Sequence, residues 1–313
     1  MRGLVGFLTA IEIMLSGFCA RADAVPERVT FPSTDGRTML TGYLFVPAQR
    51  AAGRRPAVVM MHGRAGAYST NAKGRYDAST LSQRHVAWGE LWAAQGYVAL
   101  LVDGFGPRGY AQGFPRFSYE TRPAELNEVT VRPLDAYGAL AYLRARSDVA
   151  ADRVGLQGWS NGGSAALATM ETRTPGRAGT GFRAALVFYP ACGLKGQFED
   201  QYLPYAPVQV FHGTADEEVS PRRCGELVER SKTEGGAIEI RFYPGATHSF
   251  DDPGTKRQSN EANAVATEDA VQRSLRFFAD QLQGPRRSRG PQPAKPGPTA
   301  GEAGAHSREI DGS

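Results

Sequence analysis

Residues 158–163 read GWSNGG, between DRVGLQ (152–157) and SAALATM (164–170). Val154-Gly155-Leu156 upstream is short, apolar and partly β-branched, like a buried strand, while 164–170 is rich in strong helix formers. Ser160 therefore stands at a strand-to-helix junction with almost no loop to turn the chain. Such a turn forces strained backbone angles on its central residue and needs small neighbours on both sides. The competing reading is a tight turn whose serine merely caps the helix. The rest of the chain decides between them.

Strand and helix patterns alternate outward from this point. RVTFPS (28–33) and TMLTGYLFVP (38–47) read as a hairpin around Asp35-Gly36, and PAVVMMHG (56–63) reads as a strand buried on both faces. A helix near 82–95, the strand YVALLVD (97–103) and a helix near 132–147 follow. Beyond the strand at 153–158 and the helix after Ser160 come AALVFY (184–189), VQVFHG (208–213), a helix near 221–235, IEIRFY (238–243) and a last helix near 264–282. This order predicts an α/β fold with a mostly parallel sheet of about eight strands and helices on both faces. Chemistry in such sheets collects at the carboxyl ends of the strands.

The ends read differently. Residues 1–24 carry Arg2, an apolar stretch interrupted by Glu12, and Ala22-Asp23-Ala24, the layout of a secretory signal with its cleavage site. Bulky Phe18 argues against lipidation of Cys19. Residues 284–313 are poor in large apolar side chains and rich in Pro, Gly and charge, as in a disordered tail. The domain is thus expected over 25–283, in a periplasmic or secreted protein without stable membrane association once the signal is cleaved. Of the net charge of +4, the tail carries +2 and the first 24 residues none, which leaves +2 on the domain. That is no basis for nucleic-acid binding.

Reactive residues fall selectively at strand ends: His62, Asp103, Ser160, Cys192, His212 with Asp216, and His248. Serine, then acid, then histidine is the chain order expected of α/β-hydrolase triads. Ser160 is the candidate nucleophile and His248, in the loop after the last strand, its base. Asp216 would orient His248, with Glu217 and Glu218 as rivals more readily explained as solvated surface acids. The backbone N–H of Asn161 and that of Arg64 would hold the developing oxyanion, a donor of this kind contributing about 3–4 kcal/mol. His62 and His212 read as structural residues fastening loop backbone, and a metal site built from them with His248 has no motif behind it. No cofactor is expected.

HGRAG, DGFGPRG, GWSNGG, FYPACG, HGTADEEV and YPGATHSFD together resemble the dienelactone hydrolase family of α/β-hydrolases over roughly 28–283. The resemblance implies an esterase or lactonase fold without a large cap domain and a triad of Ser160, Asp216 and His248. The enzyme that gives the family its name has cysteine where Ser160 stands, glutamate where Gly63 aligns, and a substrate-binding arginine near Asp252. These departures point to a serine carboxylesterase acting on a small ester or lactone rather than to dienelactone itself. GWSNGG also looks like the elbow of prolyl-oligopeptidase relatives, so a serine peptidase is the alternative. A non-catalytic binding protein of the same fold would have no need of all three residues.

Two further features invite assignment. The connection 104–129 is long and rich in aromatics and arginines. Phe105, Tyr110, Phe114 and Phe117 are candidates to wall a substrate pocket there, and Arg108 to meet an anionic group or else to pair with an acid such as Asp103. Without the leader two cysteines remain, Cys192 and Cys224, and neighbouring strands of an α/β-hydrolase would bring them together. Export and the even count favour a disulfide over two buried thiols or a reactive Cys192. The oligomeric state leaves no mark on the sequence.

Overall fold

The computed structural model describes residues 25–49, 52–172, 181–193 and 198–284. The leader expected over 1–24, and all but the first residue of the tail expected over 284–313, lie outside the described residues. Strands β1 (Glu27–Pro32) and β2 (Met39–Phe45) form the opening hairpin. Asp35 turns it: its carboxylate accepts from the N–H of Arg37 and Thr38 and from the Thr38 hydroxyl.

Six more strands complete one sheet: β3 (Arg55–Met61), β4 (Val98–Asp103), β5 (Val149–Trp159), β6 (Ala185–Phe188), β7 (Val208–Gly213) and β8 (Ile238–Tyr243). Their order is β1-β2-β4-β3-β5-β6-β7-β8, with β2 antiparallel to both its neighbours and every later pair parallel. The strand expected over 184–189 ends at Phe188, because Tyr189 turns out of it at φ 37°.

The centre of the sheet is covered on both sides, and the sequence shows why. Along β3, Ala57, Val59 and Met61 face one core while Val58 and Met60 face the other. In β4 the alternation repeats, with Val98, Leu100 and Val102 opposite Ala99 and Leu101. Continuous apolar runs are the pattern of strands with no solvent face. Helices α1 (Gln83–Ala94) and α6 (Glu261–Phe278) supply Trp88, Trp92 and Phe278 to one core. Helices α2 (Arg132–Ala145), α3 (Asn161–Met170) and α4 (Pro221–Thr233) supply Leu140, Leu167 and Leu227 to the other. Each such side chain contributes about 1.5–3 kcal/mol by leaving water. A single turn, α5 (Thr255–Gln258), precedes α6. Asn260 caps α6 by accepting from Ala262 N–H, so the last helix starts earlier than the apolar pattern indicates. Among the described residues no helix is long and apolar enough to cross a membrane.

Burial also sets an acid limit on stability. His85 of α1 is buried with Nδ1 on the Ala67 carbonyl at 3.0 Å, and burial, aided by the Arg84 charge, pushes its pKa down to about 4 from 6.5. Between those values the unfolded chain binds a proton that the folded chain does not. The contribution is therefore complete above pH 6.5 and is lost as pH falls through the folded value of about 4. Its size is about 3 kcal/mol. His62 and His212, also lowered by burial, act in the same direction. Urea midpoints should fall steadily from pH 7 to pH 4, and His85→Phe should make the slope shallower. A flat profile would show that the histidines are not held neutral.

Candidate active site

Strand β5 passes into α3 at Ser160 without a loop, and Ser160 takes φ 52°, ψ −117°. Its side chain makes no capping hydrogen bond to the helix, so the capping reading of this serine is excluded. The flanking glycines are there for backbone approach. A Cβ on Gly158 would stand 2.1 Å from the Gly162 carbonyl oxygen, and one on Gly162 would stand 2.1 Å from that of Met61. Only bare backbone lets the helix start press so closely on β5 and β3. The outcome is a partly buried hydroxyl on a rigid bend, open to the cavities at its side.

Three loops meet there. His248 Nε2 lies 3.0 Å from Ser160 Oγ, and His248 Nδ1 lies 2.8 Å from Asp216 Oδ2. Oδ1 of Asp216 accepts from the N–H of Glu218 and Val219, each at 2.9 Å. Burial alone would raise the Asp216 pKa, but hydrogen bonds from His212 and His248 and the backbone hold it well below the usual carboxylate range. With Asp216 ionised, Nδ1 of His248 carries the proton and Nε2 turns its lone pair to the serine. The loop carrying His248 is strained like the elbow, with Ser249 at φ 59° and neighbouring Tyr189 packed edge-on to the His248 ring at 4.7 Å.

The N–H groups of Asn161 and Arg64 find no backbone acceptor among the described residues. Behind them lies a charge that sequence reasoning missed. Arg132, fully buried at the start of α2, donates from one terminal nitrogen to the His62 carbonyl at 2.8 Å and to Asn161 Oδ1 at 2.5 Å. It thereby ties together the two chain segments that carry those N–H groups. Burial lowers its pKa to about 10, so it stays protonated at neutral pH. His62 joins β3 to the loop after β4, with Nδ1 on the Gly63 carbonyl at 2.7 Å and Nε2 accepting from Gly104 N–H at 3.3 Å. His212 Nε2 meets Asp216 Oδ2 at 3.1 Å, a second clamp on that carboxylate.

Several expectations need correction. Glu217 and Glu218 are not merely solvated acids. Glu217 accepts the His248 backbone N–H at 2.9 Å. Glu218 is largely buried, takes both a 2.9 Å and a 3.0 Å hydrogen bond from Arg64, and lies 3.8 Å from His248 Nε2. Burial opposes its ionisation, yet Arg64, His248 and Arg116 keep its pKa below the usual range. Nor do Arg108, Phe105 and Tyr110 line either cavity at Ser160. Arg108 pairs with Asp135 at 2.8 Å and Asp35 at 3.0 Å, two acids other than Asp103, and so braces the hairpin turn against α2. Phe105 is fully buried between the His62 ring and the Arg132 guanidinium. Tyr110 packs against the Phe114 ring at a tilt and reaches Glu125. Of the loop aromatics named from sequence, Phe117 alone borders a cavity at Ser160, joined there by Tyr119.

One more buried acid supports the elbow. Asp251 accepts from the indole N–H of Trp88 at 2.9 Å and of Trp159 at 2.8 Å, as well as from the Tyr189 hydroxyl, with Arg84 beside it at 3.4 Å. Trp159 immediately precedes Ser160, so this network fixes the approach to the bend. Cys192 and Cys224 are joined by a disulfide, with Cα atoms 5.0 Å apart. The bridged segment contains Asp216, and closing a loop of 32 residues stabilises the fold by about 3–4 kcal/mol in the chain-entropy model. Thiol titration of the denatured, unreduced protein lacking residues 1–24 should find no free thiol. Two per chain would refute the bridge.

Two cavities open on Ser160. One, of about 280 Å³, lies beside Asn161 and is walled by Phe117, Tyr119, Ala191 and Val219 together with Arg64, Glu120, Arg122, Glu128 and Glu218. The other, of about 570 Å³, runs from Ser160 and His248 along Ser69–Ala72 and Ser79–His85.

The sheet order, the serine on a strained strand-to-helix bend and the Ser–Asp–His chain order define an α/β-hydrolase. The family is also clear: the chain belongs to the dienelactone hydrolase family, whose model matches residues 40–282. A Bradyrhizobium protein named a probable 2-oxo-3-(5-oxofuran-2-ylidene)propanoate lactonase is 29% identical over 168 residues, 50% of this chain and 64% of the relative. Human dipeptidyl peptidase 8 is 25% identical over 250 residues, 72% of this chain and 26% of the peptidase. The chain thus spans less than two thirds of either curated relative. Among solved structures, a dienelactone hydrolase-like promiscuous phosphotriesterase from metagenomic libraries superposes with a TM-score of 0.62 at 20% identity, covering 82% of this chain and 98% of that one. Esterase 2 of Thermogutta terrifontis gives 0.60 at 21% identity, covering 83% and 96%. At these identities the superpositions speak for the fold alone.

Proposed function

We propose that the protein is a serine hydrolase of carboxylic esters or lactones that works through an acyl-enzyme on Ser160. The observation that carries this is the hydrogen-bonded line from Ser160 Oγ through the His248 imidazole to the ionised Asp216, set at the mouth of two cavities. Ser160 Oγ attacks the carbonyl carbon while His248 Nε2 takes the hydroxyl proton. The oxygen that becomes anionic sits between the N–H of Asn161 and that of Arg64, braced by buried Arg132. Collapse breaks the ester bond, and the leaving oxygen takes the proton from His248. Water then repeats the sequence: it gives a proton to His248, attacks the acyl carbon and frees Ser160. Asp216 stabilises the imidazolium formed twice in each cycle.

A Thermogutta terrifontis esterase of this fold is phosphorylated by paraoxon. The corresponding test is direct. Paraoxon should stop p-nitrophenyl ester turnover with one diethylphosphoryl group added to the peptide carrying Ser160, and a label elsewhere would refute the assignment. Likeness to a dipeptidyl peptidase favours a second reading, amide hydrolysis at the same serine. Peptide anilides cleaved faster than matched esters would establish it. The disulfide and the leader-like first 24 residues support a periplasmic or secreted location.

A further inference from the structure

An ester bound at Ser160 places its acyl chain and its alcohol in different directions, and the two cavities differ in ways that assign them. His248 must hand its proton to the leaving oxygen, so the alcohol lies on the side that His248 borders. That side is the larger cleft, which touches Ser160, His248 and Ser249; the smaller cavity touches Ser160 and Asn161 but not His248. The smaller one, where Phe117, Tyr119, Ala191 and Val219 share the wall with two arginines and three glutamates but the surface presented is mainly apolar, is left for the acyl chain.

The alcohol side is built of hydroxyls and amides. Some of these are already engaged: the Ser79 hydroxyl donates to Asp77 at 2.6 Å and that of Thr80 to the Arg75 carbonyl at 2.7 Å. Four are not. The side chains of Thr70, Asn71, Ser82 and Gln83 line the cleft and make no hydrogen bond within the described residues. Ser82 stands at the N-cap of α1 and, like Ser220 at the N-cap of α4, makes no capping bond, so its hydroxyl is open to the cleft. The charges on this side are already paired, Arg84 with Asp251 and Asp252 and Arg64 with Glu218, so the cleft offers neutral donors and acceptors rather than an ionic handle.

We propose that the alcohol half of the substrate is polyhydroxylated, a sugar or glycerol, read by Thr70, Asn71, Ser82 and Gln83, while the acyl half is compact and apolar. This rests on the reading of Ser160 as the acyl carrier. The hydroxyls of such an alcohol would meet groups that have no partner within the described residues, whereas a simple alkyl alcohol leaves all four to water.

The test holds the acyl group constant. Ethyl butyrate, glyceryl monobutyrate and methyl glucoside monobutyrate are compared by kcat/KM, each normalised to its hydroxide-catalysed rate so that leaving-group acidity cancels. Ethyl gluconate puts the hydroxyls on the acyl side. At least one polyol butyrate should exceed ethyl butyrate tenfold or more after normalisation, and the better of the two names the source. The double variant Asn71→Ala, Gln83→Ala, at exposed positions, should cut that ratio several-fold. Equal normalised values, or ethyl gluconate as the best of the four, would overturn the inference while leaving ester hydrolysis intact. No turnover of any of them by folded protein would overturn the reading of Ser160 itself.

Discussion

Ser160→Ala should lower kcat on a p-nitrophenyl ester by about 10⁴–10⁶-fold while leaving the fold in place. The two halves of that expectation have separate grounds. Chemically, the change removes the oxygen that His248 Nε2 faces at 3.0 Å, and among the described residues no other hydroxyl is hydrogen-bonded to that nitrogen. Structurally, the Ser160 side chain caps nothing, and alanine is as strained as serine at φ 52°, so the backbone gains and loses little. The backbone N–H donors survive in the variant, which is why activity above the uncatalysed rate should persist. A purified variant with an unchanged melting temperature and more than about a tenth of the wild-type rate would overturn the assignment, since a tenfold loss is only about 1.4 kcal/mol.

That the elbow could be read from sequence follows from its locality. Gly158, Ser160 and Gly162 lie within five residues, and the forces that select them act across one turn of backbone. The central strands were legible for a similar reason, since burial on both faces writes a continuous apolar run, whereas the edge strands β1 and β8 leave residues exposed along one face. Charged residues behave differently, because an acid or arginine in a loop reads as solvated until its partner is known. Arg108 finds Asp135 and Asp35, 27 and 73 residues away, and Glu218 finds Arg64 at a separation of 154. Nothing in the local composition of 104–129 or 212–219 records those pairings, so a braced turn looked like a substrate contact and a site acid looked like surface. Arg132 did leave a trace. A cation in the first turn of a helix works against the helix dipole and invites a search for a distant partner, a weak signal, since Arg222 in the first turn of α4 is exposed and pairs within its own helix. For Arg132 the partners are the two segments, His62 to Arg64 and Ser160 to Asn161, that its guanidinium draws together.

The same contrast between local and distant partners shapes what Asp216→Asn should do. The aspartate is held on both oxygens, Oδ2 by His248 Nδ1 at 2.8 Å and His212 Nε2 at 3.1 Å, Oδ1 by the N–H groups of Glu218 and Val219. An asparagine has only one acceptor oxygen to offer. With its oxygen on the two backbone N–H groups, its amide nitrogen faces both histidines and donates to them. His248 must then accept at Nδ1, so its proton moves to Nε2 and confronts the Ser160 hydroxyl with an N–H where a lone pair is required. Turning the amide over restores that lone pair but sets the –NH₂ against two backbone donors inside a buried loop. The first arrangement costs catalysis and the second costs the loop. The disulfide that closes this segment favours the first, in which the backbone stays as it is and His212, like His248, must move its proton to the other ring nitrogen. A loss of kcat near 10⁴-fold is therefore expected, as in the best-measured serine triad. Glu217→Gln separates this from mere disturbance of the loop, because a glutamine oxygen can still accept the His248 backbone N–H that Glu217 holds at 2.9 Å. Its kcat should fall less than tenfold. If Glu217→Gln is the crippled variant and Asp216→Asn turns over normally, Asp216 is not the residue that orients His248.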